Sequence, residues 1–299
     1  MQIDFIKYRK IYFFFSGILI VGSLVSLVVF GLSLGNDFTG GSLLEIEYQK
    51  DRPSNQEIKD SLSGFNLGDF NVQPAGEKGL ILKMKDISEE THRQIIEKLG
   101  EGKEIKELRF ESIGPVVGQE LKNKTRDIVI FSLLAMLIYI AVAFSQLSWP
   151  AKSWQYALAS LFILFHDILI PLGIFSLLGK YYGVQITIPI IAALLTIIGY
   201  AINNVVVVYD RLRENVLRFR KREETFEDIA NKSINQTLSR QINTSLTTLL
   251  PLLFIFFMGG ETLKYFALTL IMGIVAGLYS SIFLACPILV SWLKAEKKI

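Results

Sequence analysis

The sequence predicts a membrane α-helical fold with six transmembrane helices and one external α+β domain of the ferredoxin-like type. Of the 299 residues, 51% are apolar, and the mean hydropathy is +0.41. Long apolar runs recur along the chain, and soluble domains lack such runs. One polar block, residues 35–127, interrupts them and is long enough to build a small core of its own.

Six apolar segments are each long enough to cross a hydrocarbon core of about 30 Å. They are 11–34, 128–145, 154–178, 185–209, 239–258 and 265–293. Basic residues precede the first segment, as they do in a signal peptide. That segment is too long for a signal core and is followed by no clean small-residue cleavage site, so we expect an uncleaved anchor.

Basic residues set the predicted orientation, because clusters of Lys and Arg beside a membrane segment mark the cytoplasmic side. The clusters are Lys7, Arg9 and Lys10, then Arg211, Arg213, Arg218, Arg220, Lys221, Arg222 and Lys232, then Lys294, Lys297 and Lys298. We therefore expect an N-terminal anchor (1–34), an external domain (35–127) and a five-helix bundle (128–299) with a cytoplasmic loop at 210–237. Both termini are then cytoplasmic. A net charge of +3 gives no argument for a nucleic-acid partner.

The external block predicts strands and helices in the order βαββαβ, which is the ferredoxin-like pattern. The predicted strands are 39–48, 69–73, 80–84 and 104–112, and the predicted helices are 55–62 and 88–99. Ser88 followed by Glu89 and Glu90 is typical of a helix start, and Gly100 is typical of a helix end. The single cysteine, Cys286, lies in the last apolar segment, so we predict no disulfide in the external domain.

The sequence GNDFTGG at 35–41 stands where the first apolar segment ends. Gly40 and Gly41 permit a tight turn or a close approach of another backbone, and Asp37 can cap a helix or accept hydrogen bonds. A lone Gly-Gly pair is a weak signal for a binding site. From the residues alone, we interpret this motif as a structured exit from the first helix into the first strand.

His166 and Asp167 are adjacent within the third apolar segment. Ionisable side chains are expensive in lipid and are functional candidates by default. Histidine titrates near neutral pH and can pass on protons. Neighbouring side chains point about 100° apart on a helix, so we expect these two not to act as a pair that shares one partner. Two interpretations stay open, namely ion movement and hydrogen bonds that fix helix packing.

The fourth segment carries polar residues on one helical face, where Thr196, Gly199, Tyr200 and Asn203 are neighbours. Gly199 allows another helix to approach closely. Asn203 and Asn204 can bridge helices or coordinate a cation or water.

A polar stripe crosses the fifth segment, because residues three and four apart lie on one face of a helix. This Arg240 stripe consists of Arg240, Asn243, Thr244, Thr247, Thr248 and Pro251. A guanidinium in hydrocarbon costs at least about 2.5–3.5 kcal/mol. Arg240 therefore faces protein, water or an ion path, or it snorkels to the cytoplasmic interface. The polar residues that follow it favour an inward-facing Arg240.

The sequence contains no P-loop, zinc-protease, CxxC or nucleophile-elbow motif. We therefore expect a transport component rather than an enzyme, with no cofactor and no metal ion. The available energy source in a membrane is an ion gradient, which acts through polar groups that change partners or protonation.

Five stretches of the chain together resemble the SecF family of the bacterial Sec translocon. They are GNDFTGGSLLEIEY at 35–48, SIGPVVGQEL at 112–121, HDILIPLGIFSLLG at 166–179, LLTIIGYAINNVVVVYDRLREN at 194–215 and TLSRQINTSLTTLLPL at 237–252. They follow the family's order and spacing over almost the whole chain. The family belongs to the resistance-nodulation-division superfamily, and a chain of this layout makes half of that superfamily's usual unit. SecD supplies the other half.

The resemblance implies a role in protein export. With SecD, and beside SecYEG, such a chain uses the proton or sodium gradient to promote the late translocation of preproteins and their release on the external side of the inner membrane. The implied partners are SecD, SecYEG, YajC, unfolded preproteins and membrane lipid. Two alternatives stay open. One is a small-molecule efflux component of the same superfamily, against which the small external block argues, and the other is a structural subunit without ion coupling.

The resemblance also implies an intramembrane relay formed by an acid of SecD, an Arg in the fifth SecF helix and commonly an acid in the fourth. The Arg matches Arg240, but the acid falls at Asn204, and an amide carries no proton at physiological pH. Three accounts stay open: the SecD acid suffices with Arg240, Asp167 contributes, or sodium is held by the oxygens of Asn203, Asn204 and the threonines. The candidate relay residues are Arg240, Asn204, Asn203, Asp167, His166, Thr244 and Thr247, and the family motif before the external domain holds Asp37, Gly40 and Gly41.

Overall fold

A computed structural model describes residues 3–143, 151–219 and 224–296 of the chain. The chain divides into two compact units. One comprises Met1–Ser33 and Val129–Ile299, and the other comprises Leu34–Ile128. Each unit has its own cluster of buried apolar side chains.

The described residues form ten helices and four strands. In chain order they are α1 (Arg9–Phe30), α2 (Asn36–Thr39), β1 (Gly41–Tyr48), α3 (Asn55–Ser61), β2 (Asn71–Ala75), β3 (Gly79–Met84), α4 (Glu89–Leu99), β4 (Ile105–Ile113), α5 (Pro115–Ala143), α6 (Ser153–Tyr182), α7 (Ile188–Phe219), α8 (Phe226–Met258), α9 (Glu261–Phe283) and α10 (Ala285–Ala295). Six helical segments in this part of the chain are long and apolar enough to cross a membrane, namely α1, α5, α6, α7, α8 and the α9–α10 pair. The predicted six-helix fold is confirmed.

The prediction of a loop over the whole of 210–237 is wrong, because α7 continues to Phe219 and α8 begins at Phe226. Charge marks the end of the apolar segment without ending the helix, since Arg, Lys and Glu are good helix formers. Thr225 starts α8 by accepting a hydrogen bond from the Asp228 N–H at 3.2 Å. Outside the described residues lie Arg220, Lys221, Arg222, Lys297, Lys298 and the end of the predicted second segment at 144–145.

The predicted last segment at 265–293 is two helices rather than one. The chain leaves helical geometry at Leu284, where φ is −118° and ψ is −37°. Pro287 follows three residues later and has no N–H to donate to the carbonyl of Phe283, with which its ring would also clash in a continuous helix. The proline therefore accounts for the break between α9 and α10.

The core of the membrane unit lies among α6, α7, α9 and α10. The buried share of the most apolar stretch is 50% in α6, 50% in α7 and 72% in the α9–α10 pair, but 17% in α1, 17% in α8 and 6% in α5. The last three helices therefore leave most of their surface uncovered by this chain.

Glu227, at the start of α8, connects the N-terminal and the C-terminal part of the membrane unit. It accepts a hydrogen bond from Arg9 Nη1 at 2.9 Å and pairs with Lys294 Nζ at 2.8 Å. The N–H of Phe5 also donates to Asn231 Oδ1 of α8 at 2.8 Å. The start of α1, the start of α8 and the end of α10 therefore lie at the same end of the helix bundle.

The second unit has the predicted βαββαβ order and an antiparallel sheet with strand order β2-β3-β1-β4. Leu44 of β1 pairs with Leu82 of β3 and with Phe110 of β4. Ile58 of α3 and Ile95 of α4 are buried with these strands in one core. The first strand begins two residues later than predicted, because the preceding residues form the short helix α2.

Candidate functional site

The Arg240 stripe lies on the outer surface of the membrane unit. Its exposed members are Arg240, Asn243, Thr247 and Pro251, and its half-buried members are Thr244 and Thr248. The opposite face of α8 packs inward through Thr237, Gln241, Ser245 and Leu252. The expectation of an inward-facing Arg240 is therefore wrong for this chain, because the smaller polar side chains occupy the packed face of the helix.

The threonines of the stripe use their hydroxyl protons within α8. Thr244 Oγ1 donates to the Arg240 carbonyl at 2.7 Å, and Thr247 and Thr248 each donate to the Thr244 carbonyl at 3.0 Å. Their oxygens keep lone pairs that can accept from another group. No hydrogen bond or ion pair with another described residue engages the Arg240 guanidinium. The stripe thus presents one unpaired cation among hydroxyl oxygens.

A network on the inner face of α8 connects this helix to α7 and α9. Gln241 Nε2 donates to Thr237 Oγ1 at 3.1 Å, and Ser281 of α9 donates to Gln241 Oε1 at 2.5 Å. Tyr200 of α7 donates its hydroxyl to Ser245 of α8 at 2.9 Å. This face was not predicted, although Thr237, Gln241 and Ser245 recur every four residues beside the stripe.

His166 and Asp167 form a direct hydrogen bond, which their spacing on a helix did not predict. His166 Nδ1 lies 2.8 Å from Asp167 Oδ1, and both side chains are fully buried. The angle of about 100° describes the Cα–Cβ directions of neighbouring residues, and rotation about the side-chain bonds brings the two polar ends together. Ser280 of α9 donates to Asp167 Oδ2 at 2.8 Å. These residues are called the His166–Asp167 pair below.

Gly277 lets α9 approach the His166–Asp167 pair. A Cβ atom at this position would lie 3.6 Å from Asp167 Oδ2 and 3.7 Å from the Cα of Ala201 on α7. Three helices therefore meet at the carboxylate. Sequence analysis did not find Gly277 or Ser280, because a glycine and a serine in an apolar run are ordinary packing residues.

Asn203 and Asn204 point in different directions. Asn203 is exposed, whereas Asn204 is 2% exposed and its Nδ2 has no hydrogen-bond partner among the described residues. The structure therefore does not bring the Asn204 amide to the outward-facing Arg240. Asn203 is exposed on the outer surface of α7, and the Arg240 stripe is exposed on α8.

The motif at 35–41 forms a compact turn rather than a pocket. Asp37 lies in the first turn of α2, and Gly40 and Gly41 have φ of 74° and 121°. A Cβ atom at Gly40 would lie 2.9 Å from the Cα of Pro115, and one at Gly41 would lie 2.6 Å from the carbonyl oxygen of Met84. The glycines are required by the backbone and by this close packing.

Comparison with known proteins assigns the chain to a family. Residues 93–295 match the family model described as Protein export membrane protein SecD/SecF, C-terminal, and residues 25–51 match the SecD/SecF GG Motif. A protein from Thermobaculum terrenum named Protein translocase subunit SecF is 36% identical, over 97% of this chain and 94% of the relative. The chain belongs to the SecF family. A second SecF subunit, from Desulfurispirillum indicum, is 38% identical over 97% of this chain and 91% of its own length.

Solved structures of SecDF share the fold. The SecDF crystal structure from Thermus thermophilus, described as a translocon-associated membrane protein, matches 98% of this chain with a TM-score of 0.85 and 30% identity. SecDF in its super-membrane-facing form matches 99% with a TM-score of 0.70 and 30% identity. This chain covers 39% of each SecDF chain. The SecF assignment makes it a multi-pass component of the protein export machinery in the inner membrane, and the matched glycine motif includes Gly40 and Gly41.

Proposed function

We propose that this chain works with a SecD partner, beside SecYEG and YajC, to convert a transmembrane ion gradient into late translocation and release of unfolded preproteins. The observation that carries the proposal is the Arg240 stripe, which this chain leaves uncovered on a membrane-crossing helix.

Energetics favour a protein partner over lipid at this surface. An arginine surrounded by hydrocarbon at the centre of a membrane helix costs about 2.5–3.5 kcal/mol. Arg240 lies at the start of the apolar segment 239–258, where the cost is smaller but a protein partner still removes it. The exposed Asn243 and the acceptor oxygens of the threonines add to the polar surface. A partner helix that brings a carboxylate would pair with Arg240, and a buried ion pair of this kind is the usual place for ion coupling in a membrane.

The unmatched part of the solved SecDF chains is the source of such a helix in our proposal. This chain covers 39% of those chains, and the name SecDF describes a protein that also contains a SecD part. Asn204 is buried, whereas the stripe is exposed, and its side chain is an amide. We therefore favour the account in which the SecD acid acts with Arg240, while Asn203 and the threonines line the same surface.

The orientation we propose puts both termini in the cytoplasm. Arg9, Lys294 and the start of α8 meet around Glu227 at one end of the bundle. The basic residues at that end favour the cytoplasmic side. The unit Leu34–Ile128 follows α1 and precedes the membrane part of α5, so it belongs on the opposite side, where it acts on the preprotein.

Protein export is favoured over small-molecule efflux, because the close relatives are named as protein translocase subunits. A purely structural role predicts that the charge of Arg240 is dispensable once the complex has assembled. That difference defines the test.

The Arg240→Leu variant should assemble with SecD. The gradient should no longer stimulate its release of preprotein from vesicles, because the guanidinium that pairs with the partner's carboxylate is absent. Release is measured with reconstituted complexes under an imposed proton gradient and, separately, under a sodium gradient. The gradient that stimulates preprotein release by the unmodified complex identifies the coupling ion.

Arg213→Leu is the matched control. It makes the same change in the charged extension of α7, where Arg213 is half-buried and lies beyond the apolar segment. We expect this variant to keep its stimulation. An assembled Arg240→Leu complex with full stimulation would refute ion coupling through the stripe.

A further inference from the structure

We propose that the His166–Asp167 pair is a proton-binding site within this chain, and that α9 transmits its protonation state to α8. The inference rests on the proposed function, since it supplies a carboxylate inside this chain that can bind a proton. The inference differs from the proposed function because the proton-binding site needs no residue of SecD.

The geometry is that of a closed site with one free position. Asp167 Oδ1 meets His166 Nδ1 at 2.8 Å, and Asp167 Oδ2 accepts from Ser280 at 2.8 Å. His166 Nε2 is fully buried and has no hydrogen-bond partner among the described residues. A buried polar atom without a partner costs about 1–3 kcal/mol. In a neutral imidazole whose proton is on Nδ1, Nε2 is the acceptor, so it is the ring atom that can take up a further proton.

Proton binding changes the charge of the pair from −1 to zero. In the unloaded state, neutral His166 donates its Nδ1 proton to the ionised Asp167. An incoming proton binds at Nε2, and the Nδ1 proton moves to Oδ1, which leaves a neutral imidazole and a neutral carboxylic acid. Release reverses these steps. A neutral pair suits the membrane interior far better than a lone carboxylate.

The donor set favours a proton over a metal cation. Hard cations take several oxygen ligands at once. Here one carboxylate oxygen is engaged by an imidazole nitrogen and the other by a serine proton. In the described part of the chain, no group of three His, Cys, Asp or Glu side chains is placed to hold a metal ion.

The groups around the pair hold its ring in place. Tyr279 of α9 stacks on His166 with 6.0 Å between ring centroids. Its hydroxyl donates to the Tyr12 carbonyl of α1 at 3.0 Å and accepts from Ser16 at 3.2 Å. Tyr279 and, behind it, Tyr12 are thus the titratable groups that α9 and α1 turn toward the pair.

Two further helices pack on α6 and bring their titratable groups elsewhere. Tyr209 of α7 packs on Tyr156 and donates to the Ala285 carbonyl at 3.0 Å. Cys286 of α10 is close to the same tyrosines. Tyr156 precedes Asp167 by about three helical turns, so this cluster belongs to a different level of α6.

Adjacent serines on α9 connect the pair to α8. Ser280 bonds Asp167, and Ser281 bonds Gln241, the residue next to Arg240. Each serine also has an acceptor in its own helix, the Gly277 carbonyl at 3.2 Å for Ser280 and the Leu278 carbonyl at 3.0 Å for Ser281.

Ser280 can therefore release the carboxyl group without leaving its hydroxyl unsatisfied. A hydrogen bond to a carboxylate is roughly twice as strong as one to a neutral acid. Protonation of Asp167 thus weakens the bond between α6 and α9, and α9 gains freedom to move relative to α6 while Ser281 keeps it bonded to Gln241 of α8, the helix that bears Arg240. This gives the chain an element with two hydrogen-bonded arrangements.

The test uses the complete complex with SecD and SecYEG in proteoliposomes. Infrared difference spectra between acidic and alkaline media should contain the C=O band of a buried protonated carboxyl group. The band should disappear in Asp167→Asn and should shift or disappear in His166→Gln, and both variants should lose gradient-stimulated preprotein release. A purely structural role for Asp167 gives no pH-dependent band.

Ser160→Ala is the matched control, because Ser160 is buried on α6 and its hydroxyl donates only to the Tyr156 carbonyl. It should keep both the band and the stimulation. If Asp167→Asn fails to assemble, His166→Gln decides alone. A complex in which assembled Asp167 or His166 variants retain the band and full stimulation overturns this inference, and loss of stimulation in Arg240→Leu would then leave the proposed function standing.

Discussion

Gly41 stands at a point where the backbone leaves no room for a side chain. Its φ of 121° is a conformation that side chains disfavour. An added Cβ would also lie 2.6 Å from the Met84 carbonyl oxygen at the end of β3. Gly76, with φ of 69°, shares the positive φ but has nothing within 4 Å of an added Cβ. The two glycines therefore separate backbone strain from steric conflict.

Gly41→Ala should destabilise the external unit by more than about 2 kcal/mol, because it adds a backbone clash to an unfavourable φ. Gly76→Ala should cost about 1–2 kcal/mol, from φ alone. Hydrogen exchange of the amides in β1 and β3 measures the difference in the intact chain. Equal protection in the two variants would contradict the steric argument.

Single residues stand out in the sequence as candidates where their chemistry conflicts with their surroundings. Arg240 stands out because a guanidinium in an apolar run needs a partner. The direction in which it points could not be predicted, since Thr237 and Gln241 offer α8 a second polar face, and the packing of α9 decides between the two. The bond between His166 and Asp167 depends on side-chain rotation, which residue spacing does not describe.

At the scale of elements, small residues decide how closely α1 and α6 pack. A Cβ added at Gly173 of α6 would overlap with Ser23 of α1. Beside this contact, Ser26 donates to the Gly173 carbonyl at 3.0 Å, and Ser176 donates to the Ser26 carbonyl at 2.8 Å. Close approach of two backbones with hydrogen bonds across them is a common way to join membrane helices.

Gly173→Val should therefore destabilise the chain by about 1–3 kcal/mol, since α1 must move away from α6 to make room. The thermal unfolding midpoint in detergent measures the loss. Gly22→Val on α1 is the matched control, because nothing lies within 4 Å of a Cβ there. An unchanged midpoint for Gly173→Val would show that the two helices do not depend on this contact.

The apolar runs predicted where the membrane helices lie, because burial in lipid selects for composition. They did not predict where helices end. The charged residues after Tyr209 continue α7 to Phe219, and Pro287 interrupts an apolar run that is otherwise uniform. A change in hydropathy along the sequence indicates where the chain passes from lipid to water. The end of a helix depends instead on its backbone hydrogen bonds.

At the scale of the whole molecule, the uncovered surface of the membrane unit is divided into two kinds. The apolar side chains on the outer face of α8 are exposed, among them Leu246 at 49% and Phe257 at 76%. These suit lipid. The Arg240 stripe on the same helix does not suit lipid. The surface of a partner that would cover the stripe could not be predicted from the sequence of this chain.

Neighbouring residues on α8 allow these two surfaces to be compared at one membrane depth. Thr247 belongs to the stripe and Leu246 to the apolar face, and their side chains point about 100° apart. The chain's one cysteine, Cys286, is fully buried, so a cysteine introduced on the surface can be labelled selectively.

A photo-crosslinker attached to Thr247→Cys should capture SecD, whereas the same reagent on Leu246→Cys should give far less of that product. The reason is that a polar partner covers the stripe and lipid covers the apolar face. Adducts are identified by mass spectrometry after illumination of membranes that contain both chains. Equal capture of SecD from the two positions, or capture only from Leu246→Cys, would move the partner's helix off the stripe and leave Arg240 without the carboxylate that ion coupling requires.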